Sequence, residues 1–325
     1  MRTAALPPVL LCLLSQVYAR DVHANLTSKR GLAYQYDSHE GDNELLISDD
    51  SPISWYYTWS MWPAEPIGHS VMFVPMVHGL DDATGDELHE RLDALPRSST
   101  HLLTFNEPDG ETHTGGSSVS PEDAAEAYIE HIVPLRDAED RRWVISHPVV
   151  TGSPQGLDWL RDFNESCYDI SDDGCPTDFV AVHWYGEAEG LRNWLEELRD
   201  FYSELAPEAR FWVTELALPQ GSEEETLAML NQSTAYLDGE DDVEAYAWFG
   251  AFRTSDANDW TGDGVSFFDE DGGLTDVGSE YLGGEDNGFE TGQSGDNSDE
   301  SAGSLVSASA CALLIQMVLL AAVVL

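Results

Sequence analysis

Lysine is almost missing. Of 325 residues only Lys29 is one, and the 14 Lys and Arg together face 61 Asp and Glu. From Gly31 onward the chain has 60 acids, 10 arginines and no lysine, a formal balance of −50. A surface of that sign repels nucleic acid and anionic lipid and excludes both as partners. It is the kind of surface that salt-tolerant proteins carry. Thermal unfolding is therefore expected to move to higher temperature as salt is added; a flat or falling dependence would contradict a saline adaptation.

Cysteine is scarce too. Cys12 and Cys311 lie in the end segments, which leaves Cys167 and Cys175 as one expected local disulfide and no thiol for catalysis. Walker and Rossmann glycine loops and the Gly-x-Ser-x-Gly elbow are absent. In "ELHERL", Leu92 stands where a zinc-protease helix needs its second histidine. Neither metal nor cofactor is expected.

The ends carry processing signals. Residues 1–19, "MRTAALPPVLLCLLSQVYA", have the short apolar core and small-residue end of a secretory signal peptide. Residues 20–30 end in Lys29-Arg30, either a protease site closing a short propeptide or simply two exposed cations. An acidic, small-residue segment at 285–305 precedes an apolar tail at 306–325. No basic residues follow that tail, which favours a removed GPI signal over a transmembrane anchor. Attachment would fall at Ser294, Gly295, Asn297 or Ser298. Three sequons, at Asn25, Asn164 and Asn231, are candidate glycosylation sites. The expected product is secreted, held at the cell surface or wall, with membrane contact only through the lipid anchor, and monomeric.

Between Gly31 and Leu282 there is no linker-like break, and the span of 252 residues is the size of one (β/α)8 barrel, about 250 residues. Eight apolar runs bounded by turn residues read as strands: "RGLAYQY", "ISWYYTW", "VMFVPMV", "HLLTFNE", "RWVISHPVV", "DFVAVHWY", "FWVTELAL" and "VEAYAWFG". Helical patterns separate several of them. "SPEDAAEAYIEHIVPL" opens with Ser120 as N-cap and Pro121 at its first position; "TGDELHERLDAL", "GLRNWLEELRDFYSEL" and "SEEETLAMLNQSTAYL" are similar. Between Asp37 and Asp50 no helix is evident. The prediction is an α/β fold, a single (β/α)8 TIM barrel over residues 31–284.

Barrel active sites collect at the C-terminal ends of the strands. The fourth strand ends in Asn106-Glu107, the sixth in His183-Trp184-Tyr185, the seventh in Thr214-Glu215 and the eighth in Trp248-Phe249. Two opposed glutamates suit glycosidic cleavage, one protonating the departing oxygen and the other attacking the anomeric carbon or activating water. Aromatic residues crowd the same ends, among them Trp55, Tyr57, Trp59 and Trp62, and flat faces with polar edges suit a pyranose. Trp184 and Trp248 are expected to bind sugar. His183 either steadies a catalytic glutamate or is a satisfied core histidine.

"KRGLAYQY", "SWYYTW", "FVPMVHG", "FNEPD", "GLDWL", "CPTDFVAVHWYG", "FWVTELAL" and "EAYAWFG", in that order from Lys29 to about Tyr281, resemble the catalytic core of fungal glycoside hydrolase family 128. The resemblance implies a retaining endo-β-1,3-glucanase on a (β/α)8 barrel, with β-glucan as partner. It makes Glu107 the acid/base, Glu215 the nucleophile and Asn106 the partner of the sugar 2-hydroxyl, with Trp184, Tyr185 and Trp248 as sugar platforms. Gln35-Tyr36 and Thr58 depart from the asparagine-containing versions of the motifs. A wall glucan-binding protein without activity, and a same-clan glycosidase or transglycosylase on another β-glycan, are the competing readings.

Overall fold

The computed structural model describes residues 22–35, 39–68 and 70–295. The signal peptide, the apolar tail and the attachment candidates Asn297 and Ser298 lie outside the described residues. Strands β1 (Arg30–Ala33), β2 (Trp55–Tyr57), β4 (His101–Asn106), β5 (Val144–Val149), β6 (Phe179–Tyr185), β7 (Arg210–Ala217) and β8 (Val243–Trp248) are continuous. The third, β3, comes in two pieces, Met72–Phe73 and Met76–Val77.

That interruption is where the sheet closes. The first piece of β3 pairs with β2 and the second with β4, all ladders parallel, while β1 pairs with β8 at the other join. Pro75 has no N–H to donate, so the strand breaks there. Val74 N–H still reaches the Tyr56 carbonyl at 2.9 Å and Leu103 N–H the Pro75 carbonyl at 3.0 Å, so no edge is left open. The eight strands form the expected barrel. All six residues of β4 and of β5 are buried, as parallel strands covered on both faces require.

Helices cover the outside. Ser120 caps the helix Pro121–Ala127, accepting from Asp123 N–H, and Ser222 and Glu225 form a reciprocal capping box at Glu223–Gly239. The helix Ala188–Leu205 buries Leu191, Trp194, Leu195, Leu198 and Tyr202, the stripe its spacing predicts. A further helix, Pro154–Ile170, was not anticipated, although Ser153 and Pro154 are a cap and first position of the same kind. Its last turns carry Cys167, bonded to Cys175 as expected. The poorly patterned stretch after β1 holds only a 3-10 turn, Glu40–Asp42, and one helical turn, Asn43–Leu46.

Both ends of the packed body differ from the sequence expectation. Below β1, residues 22–29 cover the lower mouth of the barrel. There His101 and Phe179 pack on Trp212, with ring centroids 4.8 and 5.2 Å from it, and Trp55 lies 4.9 Å away. The His101 ring contacts the Val22 carbonyl at 3.1 Å, and Ala24 N–H donates to Glu244 at 3.0 Å. Lys29 Nζ donates to the carbonyls of Leu237, Asp238 and Glu240 at 2.9, 3.1 and 2.8 Å, at the negative end of the helix Glu223–Gly239. Arg30 belongs to β1 and donates to the Tyr281 carbonyl at 2.7 Å. The dibasic pair is thus built into the barrel, both residues half-buried.

At the other end, packing does not stop at Gly284. Phe289 is buried, its carbonyl accepts from Ser279 Oγ at 2.6 Å, and Leu274 exchanges backbone bonds with Gly292 and Gln293. The first part of the segment expected as a linker belongs to the folded body.

Candidate active site

Two strands deliver the glutamates, and both are irregular where they do so. In β4 the pairing with β5 shifts register between Leu102 and Thr104 and again between Thr104 and Asn106. Phe105 and Glu107 both sit at φ +38, the left-handed region that costs a non-glycine residue about 1–3 kcal/mol. Glu107 N–H is held by the Val149 carbonyl at 2.7 Å. A Cβ on Gly116 would lie 2.6 Å from the Glu107 carbonyl, so only glycine lets the following loop fold this close. In β7 the register with β8 shifts between Val213 and Leu216, around Glu215. Such bulges re-aim side chains, and here they turn both carboxylates inward.

The two meet across His183. His183 Nδ1 lies 2.9 Å from Glu107 Oε1 and Nε2 lies 3.3 Å from Glu215 Oε1, the latter an ion-pair contact without hydrogen-bond alignment. One carboxylate oxygen of each glutamate and a ring nitrogen of His183 lie within 4.8 Å of one another. His183 is completely covered. Burial disfavours its charged form, but the charge of Glu215 and the hydrogen bond and charge of Glu107 outweigh it and hold the imidazolium above the ordinary value of 6.5. His183 therefore steadies both glutamates.

Glu215 is the better held of the two. Its Oε1 accepts from Tyr57 OH at 3.0 Å and from Trp59 Nε1 at 2.6 Å, and its Oε2 accepts from Tyr185 OH at 2.6 Å. Burial first, and then the negative charge of Glu215, push the Tyr57 and Tyr185 phenols well above their ordinary value, so both stay donors. Three donors on one buried carboxylate fix its position and orientation. Among the described residues Glu107, His183 and Glu215 are also the one group with the donor types for a metal ion. With Tyr57, Trp59 and Tyr185 already donating to Glu215, the arrangement suits a bare carboxylate better than a cation ligand.

Asn106 Nδ2 donates to the Gly115 carbonyl at 3.1 Å, while its buried Oδ1 has no protein partner. Trp184 is half-buried, its indole N–H on the Glu187 carbonyl at 3.0 Å and its ring against Gly190. Two expected sugar contacts are corrected. Trp248 is fully covered, its indole N–H bound to the Val265 carbonyl at 2.9 Å, and forms barrel wall. Trp55 is equally covered, lies over Gly31 and donates to the Lys29 carbonyl at 3.1 Å, in the lower core. The carboxylate contacts of Tyr57 and Trp59 were not foreseen. The signal was in "SWYYTW": alternation sends Tyr57 inward from the strand end, and Trp59 follows at φ +53.

Comparison with known proteins decides the family. The model of the glycosyl hydrolase catalytic core matches residues 31–281. The structure is similar to an endo-β-1,3-glucanase of family 128 from Sorangium cellulosum, 27% identical, TM-score 0.62, covering 78% of this chain and 98% of that one. It is similar also to a curdlan-specific exo-β-1,3-glucanase of that family from Blastomyces gilchristii, 28% identical, TM-score 0.60, covering 78% and 97%. The chain belongs to glycoside hydrolase family 128. It is 27% identical over 268 residues, 80% of its length, to alkali-sensitive linkage protein 1 of Schizosaccharomyces pombe, and spans 45% of that relative. In this family 128 glycoside hydrolase the departure at Thr58 has a local role. Its hydroxyl donates to the Trp62 carbonyl at 2.7 Å and fixes the loop that carries Trp59 and Trp62.

Proposed function

We propose that this protein is a retaining endo-β-1,3-glucanase, with Glu215 as nucleophile and Glu107 as acid/base. The observation that carries the reading is the approach of one oxygen of each carboxylate to within 4.8 Å of the other, across His183. Direct attack uses a separation of about 5–5.5 Å, whereas inversion needs about 6.5–9.5 Å to seat a water. Glu107 gives its proton to the glycosidic oxygen while the Glu215 carboxylate attacks the anomeric carbon. The bond to the leaving sugar breaks and an ester to Glu215 forms. Glu107, now a carboxylate, takes a proton from water; the water oxygen attacks the same carbon and frees Glu215.

The assignment of roles follows accessibility. The Glu107 side chain is 15% exposed against 7% for Glu215, so Glu107 can exchange its proton with solvent while Glu215 stays shielded and held by three donors. Asn106 Oδ1 is free to accept the 2-hydroxyl, and Trp184 and Tyr185 supply faces for the sugar. The β-1,3 linkage is supported by the family relatives that act on it. The protein is proposed to work outside the cell on a lipid anchor, a reading supported by the Cys167–Cys175 disulfide and by sequons exposed at Asn25 and Asn231 and half-buried at Asn164. Laminarin, mannan and cellulose offered side by side test the substrate. Shortening of laminarin alone supports it, cleavage of either other polymer moves the activity elsewhere in the clan, and no cleavage removes the enzyme reading.

The raised His183 pKa sets a pH limit. Below about 6.5 the side chain is charged folded or unfolded, and its pairing with Glu107 and Glu215 contributes in full. As pH rises through the raised folded value the proton leaves and that contribution is lost. Thermal stability and turnover are expected to fall together on this alkaline limb, and His183→Gln to flatten the stability limb. An unchanged limb in the variant would assign it to another group.

A further inference from the structure

Around Glu215 runs a series of aromatic rings that does not stop at the carboxylate. Tyr57 packs on Trp59 with centroids 4.9 Å apart, Trp59 on Phe249 at 5.9 Å, Phe249 on Tyr185 at 5.9 Å, and Tyr185 on Trp260 at 4.8 Å. The inner four rings are buried or half-buried, whereas Trp260 is 59% exposed, the most exposed large apolar side chain among the described residues. Leaving an indole in water forgoes the free energy of burying it, which a stacked ligand would recover.

The loop that carries this ring is fixed. Asn258 Oδ1 accepts from Trp260 N–H at 3.0 Å and from Thr261 N–H at 2.9 Å. Gln220, just beyond the end of β7, donates through Nε2 to the carbonyls of Asp259 and Trp260 at 3.0 and 3.1 Å, and its N–H reaches the Thr261 carbonyl at 2.9 Å. Gln220 itself sits at φ +58, a strained conformation held by those same bonds. The strand end that supplies Glu215 thus also positions Trp260, and little side-chain order remains to be lost when a ligand stacks on it.

We propose that Trp260 is an aromatic platform for a glucosyl unit beyond the one at Glu215, on the Glu215 side of the cleft, and that it sets the enzyme's preference for longer chains. The contacts run from Trp260 through Tyr185 to Glu215 and not to Glu107, which places the platform on the nucleophile's side. A flat indole matches the C–H face of a glucose ring. The inference rests on the glucanase reading given above.

The test compares the parent with Trp260→Ala and Trp260→Phe on laminari-oligosaccharides of increasing length, with laminarihexaose binding followed by calorimetry. Because the ring is mostly exposed, neither change should disturb folding, and thermal unfolding checks this. In the parent kcat/KM should rise with chain length. In Trp260→Ala that rise should shrink roughly tenfold, with weaker laminarihexaose binding to match, and Trp260→Phe should restore most of it. A Trp260→Ala variant with the parent's length dependence and affinity would overturn the platform while leaving the glucanase intact. A parent that neither cleaves nor binds these oligosaccharides would overturn both.

Discussion

Glutamine at position 215 is expected to stop turnover of laminarin altogether. The substitution keeps the shape of the side chain but removes the charge that attacks the anomeric carbon. Glutamine at 107 should act differently. It removes a general acid, which contributes on the order of 10²–10⁴-fold. The loss should be severe on laminarin and much milder on an aryl β-glucoside whose leaving group departs without protonation. Rates of both variants on both substrates separate the roles: recovery on the aryl glucoside belongs to Glu107→Gln alone. If Glu215→Gln recovers instead, the assignments are reversed. Neither change should unfold the protein, although Glu215→Gln turns one acceptor into a donor facing Tyr57, Trp59 or Tyr185, a mismatch worth about 1–3 kcal/mol.

The second large effect is on stability. A chain cut to residues 31–284, the span that its sequence pattern marks as the domain, should fold poorly or unfold at a much lower temperature than the full chain. Removing residues 22–30 deletes the three charged hydrogen bonds of Lys29, each worth about 1.5–3 kcal/mol, and uncovers the Trp55, His101 and Trp212 cluster. Removing residues 285–295 uncovers the site of Phe289, whose burial contributes about 1.5–3 kcal/mol. Those losses are of the size of a whole domain's stability, about 5–15 kcal/mol. Thermal unfolding of the two chains, with Lys29→Ala in the full chain as an intermediate step, measures it. A cut chain as stable as the parent would mean that the lower mouth needs no cover.

The same comparison shows what could be read from the sequence. Eight strands were legible because each is a short apolar run between turn residues, and the closed barrel follows from counting them. The two glutamates were legible because each ends such a run. The break in β3 was less so: Pro75 marks it, but only the pairing of its halves with β2 and β4 shows that the barrel closes through it. The aromatic residues divided in a way that periodicity cannot resolve. Trp55 and Trp248 look the same in sequence as Trp59, yet the first two face packed interior and the third reaches Glu215. Which side a tryptophan takes at a strand end depends on bulges and on left-handed residues such as Trp59 and Glu107, and neither has a sequence signature as strong as glycine's. The ends of the body are hard to read from the sequence for a related reason. Residues 22–29 offer only the short alternation Val22, Ala24 and Leu26, which packs on the core, and residues 285–293 offer only Phe289; hydrogen bonds supply the rest of their attachment.

The claim on which the rest depends is direct attack by Glu215 on the anomeric carbon. Proton NMR of the first products of laminarin hydrolysis tests it most directly. Newly formed reducing ends should appear as β-anomers and drift to the equilibrium mixture only later. α-Anomers appearing first would mean inversion and contradict the nucleophilic role of Glu215.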